Sequence, residues 1–539
     1  MKNKIDNYIL YSLILFSVYC AVIIGISWDE LDHLAEGNRR LKYLFSFGTY
    51  DYLDYRDRLG WEFYPGFYHT LSTFVTKMLP KKYEIETLHL INWSFSIFTI
   101  FGISKISSEL FNQKVGRIVF LLCFFNPIFF GHIAINQKDM IIAFANIWST
   151  YLILRYLKNQ QIDEKRNRYV ILGGLAIGFG LGVRIVFLVT LVPIIVISII
   201  DVLFSKKIID DKFSNKKLIV DVFKISAIGY TLMILCWPDT HQNIFVLPFK
   251  LFFESLNFEF GILFSLLNGN VYNTAETPKS YLIINFLHKL PEFILLSYLV
   301  FIYLILKNKS FFNSKFKFFN TKLILILFII IFPNLLLLIS PYKIYDGLRL
   351  FLYLIPYICI IPGLAIYYLI TNYKILISKI LLTAIFSLFA YYLLIFFSLT
   401  PYQYTYLNAL SGDFSKAHKK FENDYWAVSI KELVNQIPSN KDLLNNVDLK
   451  LTFCGAADDN VKPYLKKIKN FQFKQVNWST EDYDYVIMTN RLVIPNLAEG
   501  SADVDNLKNI KTCFDRFKGI DIVTVSRNGL ILSTLRKKN

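Results

Sequence analysis

Cysteine is scarce in this chain. Six residues in 539 are too few and too scattered for a disulfide framework or a zinc site. Cys20, Cys123, Cys236 and Cys359 fall in apolar runs, where thiols serve as small apolar side chains, whereas Cys454 and Cys513 fall in a polar tail where one disulfide is an option. Also missing are a GxxxxGK[ST] phosphate loop, a GxGxxG dinucleotide fingerprint and a His-Glu-x-x-His zinc motif. ATP-driven coupling and soluble-nucleotide chemistry are therefore disfavoured, and no cofactor is predicted.

Apolar residues fill the space: 54% of the chain is hydrophobic and 17% aromatic. Runs of the roughly 20 apolar residues that cross a hydrocarbon core of about 30 Å recur along it. Eleven spans are predicted, at 8–27, 86–104, 115–131, 140–157, 169–183, 185–202, 218–237, 290–306, 323–340, 350–370 and 380–399. The first reads as a retained signal anchor, because no small-x-small cleavage site follows it. Ser17-Val18-Tyr19-Cys20 is not a lipid-attachment box, since a bulky Tyr precedes the Cys.

Lys and Arg set the orientation, because short cytoplasmic loops collect positive charge. With the N-terminus inside, the basic segments 2–4, 105–117, 155–168, 206–217, 307–322 and 374–379 share one side. They account for much of the net charge of +17 without invoking nucleic acid as a partner. Residues 64–80 must then not cross: the segment is short, opens with Pro-Gly and ends in Leu-Pro-Lys-Lys, as an interfacial or re-entrant helix does. The fold class is mainly α: a polytopic membrane domain over 1–400 and a small extracytoplasmic α/β domain over 401–539. In the tail an amphipathic helix is expected near 415–437. Strands are expected at 449–454, 471–476 and 483–489, with a hairpin over 520–536 turning at Asn528-Gly529.

Large polar segments lie on the outer side, so chemistry is sought there. Trp28-Asp29-Glu30-x-Asp32-His33-x-x-Glu36 follows the first span, with Asp29, Asp32, His33 and Glu36 three and four apart on a helix face. Ionisable groups at the membrane boundary are functional or paired, and the plain alternative is Asp29 as a helix N-cap. Next come His132 and Asn136-Gln137-Lys138-Asp139, where Lys138 suits a phosphate and Asp139 either orients an acceptor or caps the next helix. Gly174, Gly178 and Gly182 recur every four residues, permitting close helix packing. Arg184 after them either snorkels to lipid or binds a substrate phosphate. Tyr345-Asp346-Gly347-x-Arg349 opens a late span, with Arg349 a second phosphate candidate or an interfacial anchor.

This constellation, with Trp-Asp-Glu-x-x-His-x-x-x-Gly at 28–37 its most specific part, resembles the GT-C class of integral-membrane glycosyltransferases. The likeness is to bacterial relatives of protein O-mannosyltransferases and of the lipid A aminoarabinose transferase. Pro401-Tyr402-Gln403-Tyr404-x-Tyr406-x-Asn408 and Asp424-Tyr425-Trp426 resemble segments after the last span in bacterial members. The resemblance implies a cell-membrane enzyme with a polyprenyl-phosphate sugar as donor, a glycan, lipid or protein hydroxyl as acceptor, and inversion at the anomeric carbon. Asp29 would be the general base, with Glu30 and Asp139 also in the catalytic group. Lys138, Arg184 and Arg349 would hold the donor phosphate, and His33, Tyr64, His132 and Tyr345 would line the substrate site. No metal is expected, because carboxylates are few around that phosphate site and cations are available. The sequence departs from the pattern at Tyr64-Pro65-Gly66, where relatives often have consecutive prolines, and at Arg184, where many have Lys.

Two other classes compete. A lipid-linked oligosaccharide polymerase or ligase is also polytopic with large outer loops, but depends on outer Arg and His rather than on acids after the first helix. A transporter predicts inverted repeats and broken polar helices at mid-membrane, whereas here the ionisable residues gather at one face.

Overall fold

A computed structural model describes residues 2–52, 60–209, 213–257, 264–339, 343–439, 449–469, 471–491 and 512–539. The parts of the predicted 206–217 loop and 323–340 span at 210–212 and 340 lie outside the described residues. The first half of the chain forms α1 (Lys2–Ile23), α2 (Glu30–Phe45), α3 (Phe67–Lys77), α4 (Glu84–Leu110), α5 (Gln113–Phe124), α6 (Pro127–Gly131), α7 (Asp139–Asn159), α8 (Asp163–Leu181), α9 (Phe187–Ile200) and α10 (Asn215–Leu235). Then follow α11 (Leu247–Asn257), the hairpin β1 (Phe264–Leu267) and β2 (Asn270–Asn273), and α12 (Tyr281–Lys289). The membrane part closes with α13 (Glu292–Lys315), α14 (Phe319–Ile339), α15 (Ile355–Ile358), α16 (Ile360–Thr371) and α17 (Leu376–Ser398).

Among the described residues, eight helical segments are long and apolar enough to cross a membrane. The protein is a multi-pass membrane protein. The three other predicted spans also fall on helices, and two of them have a local reason for being less regular. α1 is apolar over Asn7–Ile23. The span at 169–183 is the second half of α8, whose first turns carry Asp163, Glu164, Lys165, Arg166 and Arg168. The span at 115–131 divides into α5 and α6 because Asn126 caps a new helix, accepting from the Phe129 N–H at 3.1 Å, and Pro127 occupies the first helical position. Where α8 meets α10, a Cβ on Gly174 would lie 2.8 Å from the Ile228 Cβ and one on Gly178 would lie 3.0 Å from the Gly229 Cα. These glycines therefore set the close approach of the two helices.

α3 has 11 residues, a length of about 16 Å at 1.5 Å per residue, well short of a crossing. It packs on α2 through Gly37, where a side chain would run into Thr73 and the His69 carbonyl.

Contacts sort the loops into two ends. At one end Glu109 binds Arg155 at 2.8 Å and Lys158 at 2.9 Å, Arg166 lies 3.5 Å from Asp221, and Phe111 meets Phe316. At the other end the segments around 27–30, 60–66, 132–139, 184, 345–349 and the tail converge. The basic loops at 105–117, 155–168 and 307–322 and the start of α10 thus share one end, and the acidic, aromatic segments the other.

The tail contains α18 (Ile430–Gln436), β3 (Leu449–Cys454), α19 (Asp458–Leu465), β4 (Phe473–Gln475), β5 (Tyr485–Thr489), α20 (Cys513–Arg516), β6 (Gly519–Arg527) and β7 (Leu530–Lys538). The sheet order is β4-β3-β5-β7-β6, with β3 parallel to β4 and β5, and β7 antiparallel to β5 and β6. Asn528 and Gly529, at φ 49° and 81°, turn the β6–β7 hairpin as expected from the Asn-Gly pair. The helix expected over 415–437 is instead a 3-10 turn at Phe414–Lys419 and the short α18. Helix between them is prevented by Asp424, whose buried carboxylate accepts from the Ser429 hydroxyl at 2.5 Å and the Val428 N–H at 3.3 Å. Ala427, held in the left-handed region at φ 56°, completes the break.

The tail docks through its tyrosine motif. Tyr402 donates to Glu432 at 2.8 Å, Tyr404 to Asp424, and Tyr406 to Glu292 at 2.8 Å, while Asn408 donates to the Leu287 and Leu290 carbonyls. Gly131 leaves room for the Tyr404 backbone, which a side chain there would strike. One buried hydrophobic core therefore runs from the helices into the tail.

Cys454 and Cys513 are disulfide-bonded across 59 positions, and the four other cysteines are free and buried. Breaking the bond by Cys454→Ser is expected to destabilise the tail by about 2–4 kcal/mol, read by thermal unfolding with and without reductant. An unchanged midpoint would show that the sheet stands without it.

Candidate active site

Asp29 begins α2 but makes no side-chain cap hydrogen bond. Its carboxylate instead faces Lys138, with Oδ2 3.4 Å from Nζ, and its side chain keeps 29% exposure. Glu30 beside it is fully buried and engaged: it accepts from the Ser27 N–H at 2.6 Å and the Gln137 amide at 3.3 Å, and lies 3.0 Å from His89. The adjacent acids are thus unlike: Glu30 ties α2 to α4 and the 132–139 loop, while Asp29 stands at the opening. Burial alone would push the Asp29 carboxyl up, but the Lys138 ammonium, with Arg349 and Arg491 beyond it, holds it below the usual carboxylate range.

Asp139 is a hub for cations. Its oxygens lie 3.6 Å from Arg184 and 3.5 Å from Arg349, and it accepts from the Asn136 amide at 3.1 Å. Arg349 also donates to Asp346 at 2.7 Å and lies between the rings of Tyr345, 5.0 Å away, and Trp426, 5.1 Å away. Tyr345 accepts from Arg349 at 3.4 Å. Lys138 and Arg184 share the face of Tyr64, at 5.1 and 5.6 Å from its centroid. Burial first, and then the charges of Arg184 and Arg349, pull the Lys138 ammonium below its ordinary value. Cations crowded in this way gain from an incoming anion.

Tyr64 is placed by Arg40, which is buried and donates to the Pro65 carbonyl at 2.5 Å, to Tyr64 at 2.9 Å and to Cys236 at 2.8 Å. Gly66, at φ 74°, faces the same guanidinium, which a side chain would strike. Trp237 adds a bond to the Glu62 carbonyl at 2.8 Å. Arg40→Met strips the donor from the buried Pro65 and Cys236 carbonyls and from the part-buried Tyr64 carbonyl, and is expected to cost about 2–5 kcal/mol and to raise the KM for the donor through a loosened Tyr64. Thermal unfolding and donor titration check this; a wild-type KM in a folded variant would contradict it.

His33 stacks on His69 at 4.1 Å between centroids and meets Trp61 edge-on. Burial, then the Lys138 charge on His33 and the proximity of His33 to His69, hold both imidazoles well below their ordinary value, so they stay neutral. His132 lies in the seam between helices and tail, with Nδ1 against the Ile128 carbonyl at 2.6 Å and Nε2 against the Tyr425 hydroxyl at 2.5 Å. Glu36 is bonded to Arg39 and Tyr52 rather than to the Asp29 cluster. The structure therefore gathers Asp29, Lys138, Asp139, Arg184, Arg349, Tyr64, Tyr345 and His33, and sets Glu30 and His132 beneath them. Sequence reasoning missed Arg40, His69 and Arg491, and gave Trp426 no role. Among the described residues, no group of three or more His, Cys, Asp or Glu is arranged to hold a metal ion.

Residues 72–223 match the family described as dolichyl-phosphate-mannose-protein mannosyltransferase. No curated protein matches the chain significantly in sequence. Among solved structures, ArnT from Cupriavidus metallidurans in the apo state superposes with a TM-score of 0.51 at 12% identity, covering 99% of this chain and 98% of that one. The same protein bound to undecaprenyl phosphate gives 0.50 at 11% identity, with coverage of 99% and 98%. The chain thus has the fold of ArnT, the GT-C architecture its sequence resembles, and carries over residues 72–223 the pattern of dolichyl-phosphate-mannose-protein mannosyltransferases.

Proposed function

We propose that the protein is an inverting glycosyltransferase that moves a sugar from a polyprenyl-phosphate donor to a hydroxyl on a glycan, lipid or protein. The observation that carries this reading is the pairing of Asp29 with a buried cluster of cations at the loop end of a membrane domain. The undecaprenyl phosphate bound by the structurally similar ArnT supports a lipid-phosphate donor. In this reading the loop end and the disulfide-bonded tail face outside and the basic loops face the cytoplasm.

The donor phosphate rests on Lys138, Arg184 and Arg349, with its lipid among the helices. The acceptor oxygen attacks the anomeric carbon opposite the phosphate. Asp29 takes the hydroxyl proton as the new bond forms, and the C–O bond to phosphate breaks with its electron pair leaving on the phosphate. The three cations stabilise that charge in a partly dry site. Asp139 and Asp346 keep the guanidiniums aimed, and Glu30 fixes the start of α2. Bound phosphate also offsets the field of Lys138 and Arg349, so the Asp29 carboxylate becomes more basic when the donor is present. No metal is invoked, and full turnover with chelator is expected.

Purified protein in lipid, offered polyprenyl-phosphate sugars of known anomeric configuration with a membrane extract as acceptor, is expected to form the inverted glycoside. A product of retained configuration, or consumption of lipid-pyrophosphate oligosaccharides alone, would overturn the reading; the latter points to a polymerase or ligase.

A further inference from the structure

The segment between α1 and Asp29 is gripped by the tail. Lys431 of α18 donates to the Val22 and Ile24 carbonyls at 2.8 and 3.1 Å. The Ile26 N–H donates to the Tyr464 hydroxyl at 2.8 Å, and the Asn460 amide donates to the Ile26 carbonyl at 2.8 Å. Gly25 lets the tail backbone at Val428 approach, since a side chain would strike the Val428 carbonyl. From the membrane side, Ser27 is tied to the Ile135 carbonyl at 3.1 Å and to Glu30. The backbone leading to Asp29 is thus fixed by two bodies at once.

Arg491 ends this grip at the site itself. It leaves the end of β5, where Asn490 continues the ladder through its N–H to the Leu532 carbonyl and its amide to the Ile531 carbonyl, and accepts from the Asp424 N–H at 3.0 Å. The Arg491 guanidinium donates to the Tyr425 carbonyl at 2.7 Å and lies 4.5 Å from the centroid of Trp28, the residue before Asp29. A cation over an indole at this distance is a favourable contact. Tyr425 is followed by Trp426, whose ring covers Arg349. The tail therefore meets Trp28, the neighbour of the proposed base, through Arg491, and a proposed phosphate cation through Trp426.

We propose that Arg491 is a positioning residue for the transfer reaction, holding Trp28 and with it the Asp29 carboxylate, so that the tail completes the active site. The proposal rests on reading Asp29 as the base. It assigns the tail work in turnover that is separate from covering the loops or choosing an acceptor. The charges facing Asp29 come from Lys138 before α7, Arg349 before α15 and Arg491 after β5. His33 on its own helix and His69 on α3 remain neutral. Loss of the Arg491 charge removes one of the three cations that depress the Asp29 carboxyl, so its titration moves up.

The test uses full-length protein in lipid with a polyprenyl-phosphate sugar donor, comparing wild type, Arg491→Gln, Arg491→Lys and Asp29→Asn. Arg491→Gln is expected to lower kcat about tenfold or more by misplacing the base, to leave the donor KM within about twofold, and to move the acid limb of the pH profile of kcat/KM upward. Arg491→Lys is expected to keep that limb in place and recover part of kcat. Wild-type kcat and limb in Arg491→Gln, beside an inactive Asp29→Asn, overturn this inference alone. So does a lowered unfolding temperature with wild-type kcat per folded molecule, which is what a purely structural contact gives. Full activity in Asp29→Asn removes the base reading and this inference with it.

Discussion

Asp29→Asn is expected to lower turnover by about 10²–10⁴-fold, the range supplied by a positioned general base, with little change in donor KM or in folding. The substitution keeps shape and one acceptor oxygen, and the carboxylate caps nothing, so helix α2 loses no side-chain cap bond. What it loses, in the proposed mechanism, is the site for the acceptor proton. The pH profile gives an independent check on the same residue. The carboxyl is held below its ordinary range by Lys138 and the arginines. Activity therefore persists through neutral pH and falls only as pH drops through that lowered value. In the proposed mechanism donor binding places a phosphate against the same cations and raises the carboxyl, so the acid limb of kcat should lie at higher pH than that of kcat/KM. Coincident limbs would mean that the phosphate does not sit where Lys138 and Arg349 feel it.

Arg349→Gln is expected to cost about 10²–10³-fold in kcat, as loss of a fixed charge opposite a developing oxyanion does, and also to destabilise the protein. Its guanidinium lies between Asp346 and Asp139, two buried carboxylates, and removing one partner of a buried pair costs about 3–5 kcal/mol. Asp139 keeps Arg184 and Asn136, so the loss centres on Asp346. Arg349→Lys separates the two effects. It retains the charge but not the fork that spans both acids, nor the flat face between Tyr345 and Trp426. It should unfold at a lower temperature than wild type yet keep more kcat than Arg349→Gln. Equal kcat in the two variants would indicate that Arg349 only anchors the loop.

The helices were legible because the bilayer leaves a coarse signature: about 20 apolar residues per crossing. Each of the eleven predicted spans falls on a helix, and the irregular one at 115–131 breaks where Asn126-Pro127 stands, a start signal visible in the sequence. The strands at 449–454 and 483–489 appear as short strand-like runs and fall on β3 and β5, and the hairpin at Asn528-Gly529 follows from turn chemistry. The helix expected over 415–437 failed because Asp424 is satisfied by a turn and by Tyr404 from the preceding motif, a long-range bond that local periodicity does not carry.

The candidate site divides in the same way. Asp29, Lys138, Asp139, Arg184 and Arg349 stood out as charges at the ends of apolar runs, a local signal. Arg40, His69 and Arg491 carried none. Arg40 acts on carbonyls from 64, 65 and 236, and Arg491 reaches a tryptophan more than 460 positions away. The tyrosines of 402–406 looked like a conspicuous motif of unknown use, and each proves to donate its hydroxyl to a different carboxylate. Glu30 and His132 have the residue types of a catalytic group, but their polar atoms are already engaged inside the protein.

In the proposed reaction a sugar leaves a lipid monophosphate as its acceptor is deprotonated at Asp29. The decisive measurement counts lipid product against glycoside formed by purified full-length protein in lipid. One polyprenyl phosphate is expected for each glycosidic bond formed, and neither product from Asp29→Asn. Release of a polyprenyl pyrophosphate, or unchanged release by Asp29→Asn, would contradict it.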